Sequence, residues 1–77
     1  MNITLENQRM KIELNRTESQ ECGTYLIELL RSNNVQGINY HDDINDTDTI
    51  TAWSTNENLY YALMQIQEES QEGVFTI

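Results

Sequence analysis

The residue pattern predicts a small α+β protein: a two-layer sandwich, ββαββα, with a four-stranded sheet and both helices on one face. Three observations carry this. Apolar residues alternate in two pairs of short segments, turn-forming residues separate the members of each pair, and a stripe with helical spacing follows each pair. A very short fifth strand at the C-terminus is the one variation the pattern admits.

In "NITLENQRMKIELN", Ile3 and Leu5 share one face of a first strand, and Met10, Ile12 and Leu14 share one face of a second. Asn7-Gln8 lies between them as a turn, so residues 2–15 read as a β-hairpin. "RTESQECGTYLIELLRSNN" places Cys22, Leu26, Leu29 and Leu30 at helical spacing, with Tyr25 on the shoulder of the stripe and Ile27 off it. Thr17 and Gln20 have capping-box spacing, and Asn33 or Asn34 suits a left-handed stop. Gly23 weakens this helix by about 1 kcal/mol relative to Ala, and close packing on the sheet would account for its presence.

"GINYH" supplies a third strand, with Ile38 and Tyr40 on one face. Residues 42–48 form an acidic tip, and "TITAWS" returns with Ile50 and Ala52 on one face. Ser54 and Glu57 have capping-box spacing ahead of a second helix, whose stripe is Leu59, Ala62, Leu63 and Ile66. Gly73 suits its stop, and "VFTI" has strand character. The halves match loosely, "KIELNRTESQ" against "TITAWSTNEN", which has two readings, an ancient duplication or, the one favoured, the shared grammar of strand-to-helix turns.

If Ile50 and Ala52 face the helices, then Thr49, Thr51 and Trp53 face the other way. That outer face also takes Thr4, Glu6, Lys11, Glu13, Asn39 and His41, and the chain has no third layer to cover it. Trp53 has two readings: an exposed anchor on this face, or a side chain folding over the sheet edge into the core.

Charge is the most informative number. The 77 residues carry 4 Lys and Arg against 13 Asp and Glu, for a net −9. All four cations lie in residues 1–31, at net −1, and residues 32–77 hold none, at net −8. Such a surface rejects nucleic acid and anionic membranes and attracts basic protein surfaces. No apolar run reaches the ~20 residues of a membrane span, and the lone Cys22 excludes an internal disulfide, so the expected setting is cytoplasmic.

Catalysis and metal binding find little support. A calcium loop starting at Asp43 puts Asp48 where glycine belongs and Ser54 where the bidentate glutamate belongs. His41 and Cys22 are single, and Cys22 lies on an apolar stripe, which excludes a zinc cluster and disfavours a Cys–His nucleophile. Gly23, Gly37 and Gly73 are too far apart for a phosphate loop. No catalytic residue, metal or cofactor is expected.

The leading expectation is a small acidic protein-binding module that occupies a basic, nucleic-acid-binding surface of another protein. Asp42, Asp43, Asp46 and Asp48 on the tip, with Glu57, Glu68, Glu69 and Glu72 along the second helix, would steer the encounter. Trp53 or Tyr40 would supply the desolvated anchor. Glu68, Glu69 and Glu72 sit where the helix macrodipole disfavours anions, a cost of about a few tenths of a kcal/mol each that is tolerable by chance and is also what charge needed for a partner would leave. In size, in its Asn/Asp/Ile/Glu-rich composition and in charge the chain resembles the small acidic inhibitors made by bacteriophages, among them anti-CRISPR proteins and inhibitors of DNA-repair or restriction enzymes. That resemblance involves no residue-by-residue match and carries over no functional residue. The alternative is a self-associating structural protein whose Val74–Ile77 segment adds to the sheet edge of a second copy.

Overall fold

A computed structural model describes residues 1–42 and 46–71. Their order is β1 (Asn2–Glu6), β2 (Arg9–Asn15), α1 (Arg16–Ser32), β3 (Gln36–Asp42), β4 (Thr47–Trp53) and α2 (Asn56–Gln71). This is the expected ββαββα order. Gly73 and the Val74–Ile77 segment lie outside the described residues, and so does the question of a fifth strand.

The sheet runs β1-β2-β4-β3, with every neighbouring pair antiparallel. Alternation explains which face is covered. Met10, Ile12 and Leu14 of β2 and Ile50 and Ala52 of β4 are buried under the helices, and the residues between them point to the open face. From the other layer, Cys22, Leu26, Leu29 and Leu30 of α1 and Leu59, Ala62 and Ile66 of α2 close the core. The shortest molecular dimension, 18 Å, leaves room for one helix layer and one sheet. At roughly 25 cal/mol per Å² of apolar area, burial of these side chains supplies most of the driving force.

The local signals hold with shifts of one or two residues. The first helix is capped by Asn15, not Thr17: the Asn15 side chain accepts from the Glu18 N–H at 2.8 Å, and the Glu18 carboxylate accepts from the Asn15 N–H at 2.9 Å. Asn15 is the last residue of β2, so strand and helix join with no loop, and the strand's length sets the cap. The second helix is capped by Thr55, whose hydroxyl accepts from the Asn58 N–H at 3.2 Å. Ser54, expected to cap it, is buried and donates instead to the Asn34 carbonyl at 3.1 Å. Asn34, at φ 60°, is the left-handed stop of α1, and Gln8, at φ 63°, turns the first hairpin.

Trp53 is 53% exposed on the open face, so it does not fold into the core. Its indole is laid across Gly37, where a Cβ would fall 2.0 Å from Nε1. Gly37 also has φ +59° and sits at the register shift between Gln36 and Asn39. An aromatic ring thus covers the weakest point of an edge strand, where a glycine offers no side chain to its neighbours. Gly23 differs. It is buried, yet a Cβ there would meet only the Ser19 hydroxyl at 3.5 Å and the Tyr40 ring at 3.9 Å, which is ordinary contact. Close packing on the sheet therefore does not require glycine at 23.

Candidate functional site

The expected acidic tip is shorter and less free than the residue pattern implied. β3 runs through Asp42 and β4 begins at Thr47, so Asp42 and Asp48 are strand residues paired across the ladder. Asp48 shares the inner face with Ile50 and Ala52, and it is 2% exposed. It was expected to be a solvated, steering charge; instead it is part of the interior. Asp42 and Asp46 are exposed, and Asp43 lies outside the described residues.

What gathers these carboxylates is Arg16, the first residue of α1. Its Nη2 lies 2.8 Å from Asp42 Oδ1 and 3.9 Å from Asp46 Oδ1, and its Nε lies 3.6 Å from Asp48 Oδ2. The pairing register accounts for this. Asn15 faces Thr47 and Leu14 faces Asp48, so the residue after Asn15 emerges beside the β3–β4 connection. A cation at a helix N-terminus opposes the macrodipole, and the surrounding carboxylates offset that cost. Around Asp48 the Tyr40 hydroxyl donates to Oδ2 at 2.7 Å and is hydrogen-bonded to the Ser19 hydroxyl. The bond from Tyr40, followed by Ser19, holds the Asp48 carboxyl below its ordinary pKa despite burial, and Arg16 adds to the effect. Burial of the Tyr40 hydroxyl, together with Asp48, raises the phenol pKa. Asp48 Oδ1 is buried and has no hydrogen-bond partner.

Among the described residues no group of three or more His, Cys, Asp or Glu side chains could hold a metal ion. A guanidinium stands among the three aspartates. Tyr40, a nominated anchor, is 45% exposed, but its polar end is committed to Asp48 and Ser19. Trp53, the other nominated anchor, lies five residues from Asp48 along β4, about 17 Å away, on the opposite face. The fold does not bring the tip and Trp53 together as one surface.

Cys22 reads as a core residue from sequence and is buried. Burial, with Glu18 and Glu21 nearby, pushes its thiol pKa up, so the nucleophilic thiolate is disfavoured. His41 is exposed on the open face, in line with Thr49 and Glu13.

Side-chain charge divides by face. On the open sheet, Glu6 and Glu13 offset Arg9 and Lys11. The helix layer and its rim hold the remaining described charges, nine carboxylates against Arg16 and Arg31. Within that layer Arg16 is taken up by the aspartates, and the Met1 ammonium lies 2.6 Å from Glu18 Oε2. Burial raises the Glu18 pKa, but the ammonium and the Asn15 N–H outweigh it and the net direction is down. Helix α2 carries Glu57, Glu68 and Glu69 and no Lys or Arg. Glu57 and Glu68 are exposed; Glu69 accepts a hydrogen bond from the Tyr25 hydroxyl of α1; Glu72 lies outside the described residues.

On the outer side of α2, Tyr60, Tyr61 and Met64 are 57%, 54% and 48% exposed. The two tyrosine rings meet edge to face, with centroids 6.4 Å apart. Glu57, Tyr61, Met64 and Glu68 follow one another at helical spacing, opposite the buried stripe of Leu59, Ala62 and Ile66. This aromatic stripe was not nominated from sequence, although its signal was present: the residues fall where the buried stripe does not.

No protein-family model matches the chain, and neither a curated protein nor a solved structure matches it. Among the described residues no helix is long and apolar enough to cross a membrane.

Proposed function

We propose that the chain is a non-catalytic module that binds a basic surface of another protein through its helix layer, in the manner of an inhibitor that occupies a nucleic-acid-binding site. One observation supports this most: the uncompensated carboxylates lie on the layer that also exposes tyrosines and a methionine, while the sheet's open face is balanced in charge. Carboxylates steer a basic partner from a distance, and exposed aromatic and Met side chains provide apolar area to desolvate on contact. Because Arg16 already pairs with aspartates of the tip, this reading takes α2 as the binding surface. A cytoplasmic setting accords with the single buried thiol.

The test is capture from bacterial lysate on the immobilised chain at low salt and at about 0.5 M salt, where the Debye length falls to roughly 4 Å. The expected result is retention of nucleic-acid-binding proteins at low salt, release at high salt, and displacement by duplex DNA. A Glu57→Lys/Glu68→Lys variant should retain little. If no lysate gives salt-sensitive retention, the reading is to be abandoned.

A further inference from the structure

We propose that the groove between the C-terminal end of α1 and the outer side of α2 seats an arginine side chain of the partner. The proposal rests on the reading above and specifies where and how the basic partner engages. The groove has a volume of about 580 Å³ and is lined by Asn33, Tyr61, Met64, Gln65, Glu68 and Glu69. It is ample for one long side chain and too open to be a buried ligand cavity.

Five features converge on a guanidinium. Tyr61 offers an exposed ring against which a planar cation stacks. Met64 offers a soft, adaptable apolar wall for the methylene stem. Glu68 is an exposed carboxylate with no ion pair among the described residues, so its oxygens can accept a forked pair of N–H donors. Asn33 closes α1 at this end of the groove: its Nδ2 donates to the Leu29 carbonyl at 2.9 Å and to Gln65 Oε1 at 3.2 Å. The negative end of the α1 dipole therefore points to the same place. Glu69, tied to the Tyr25 hydroxyl across the two helices, adds negative potential without depending on the ligand for its orientation.

Charge complementarity selects this occupant over others. None of the lining residues is cationic, so an anionic or nucleic-acid ligand meets only repulsion. A second copy of this net −9 chain would bring acidic layers together. Arginine is favoured over lysine because only a planar guanidinium both stacks on an aromatic face and forks onto a carboxylate.

The test uses the full chain, labelled for NMR, and two capped peptides of leucine, alanine and arginine, identical except that one carries citrulline in place of arginine. At low salt the arginine peptide should shift the amides of Asn33, Tyr61, Met64, Gln65 and Glu68, and the citrulline peptide should bind at least tenfold more weakly. Tyr61→Ala and Glu68→Gln, both at exposed positions, should each weaken the arginine peptide at least tenfold, whereas Asp46→Asn should not. Equal binding of the citrulline peptide, or shifts spread evenly over the acidic layer, would overturn the proposal. So would shifts of these same amides on concentrating the protein alone, which would assign the groove to a second copy. Lysate capture separates the two levels. Salt-sensitive capture that survives Tyr61→Ala and Glu68→Gln sinks the groove and leaves the basic-partner reading standing, whereas absence of salt-sensitive capture sinks that reading.

Discussion

Asp48 shows how one residue changes meaning between sequence and fold. Four aspartates within residues 42–48 look alike as letters, and solvation is the ordinary fate of such a run. Extending the alternation of Ile50 and Ala52 by one more step would have placed Asp48 on the inner face. Its burial is tolerable because Tyr40 donates to it and Arg16 stands close. The pH behaviour follows from the sign of the shift. A carboxyl whose folded pKa is depressed contributes stability above its unfolded pKa, near 3.9, and loses that contribution as pH falls through the folded value. Tyr40→Phe removes the largest cause of the depression. The variant should be less stable than the parent near pH 7, and the gap should narrow on acidification to about pH 3. Urea titrations of both proteins at the two pH values measure this. A gap that stays constant would show that Tyr40 acts only through its bond to Ser19 and its packing.

At the scale of the elements, two glycines make opposite predictions. Gly37→Ala puts a Cβ into the Trp53 indole and holds an L residue at φ +59°, and the backbone strain alone costs about 1 kcal/mol. The full loss should be about 2–3 kcal/mol, and it should shrink in a Trp53→Ala background, where only the backbone cost remains. Gly23→Ala lies mid-helix in ordinary contact distance of its neighbours. It should stabilise the protein by about 0.5–1 kcal/mol through helix propensity. Chemical denaturation midpoints decide both, and a stabilising Gly37→Ala would refute the assignment of Trp53 to that seat. Element types and order were legible because strand alternation and the 3.6-residue period are local properties. The caps were misplaced because Thr17 and Ser54 have the same local chemistry as Asn15 and Thr55. Which of them starts a helix depends on how far β2 and β4 extend, and sheet pairing sets that length.

For the whole molecule the dominant fact is charge. With net −9 on a small domain, self-repulsion opposes the compact state, and screening relieves it. The melting temperature should therefore rise by several degrees between about 10 mM and about 200 mM NaCl, on a scale where 1 kcal/mol corresponds to about 4–8 °C for a domain of this size. A fall would mean that attraction within the Arg16 cluster outweighs the repulsion elsewhere.

The ββαββα order, the two-layer arrangement, the core stripes and the acidic balance were all written in the chain, because each depends on composition or on spacings of a few residues. The capture of the aspartates by Arg16, the hydrogen bond from Tyr40 that makes Asp48 tolerable inside, and the seat of Trp53 on Gly37 were decided only in three dimensions. All three depend on which residue of one strand lies opposite which residue of another. That register is fixed by long-range pairing over a shared core, and no local spacing records it.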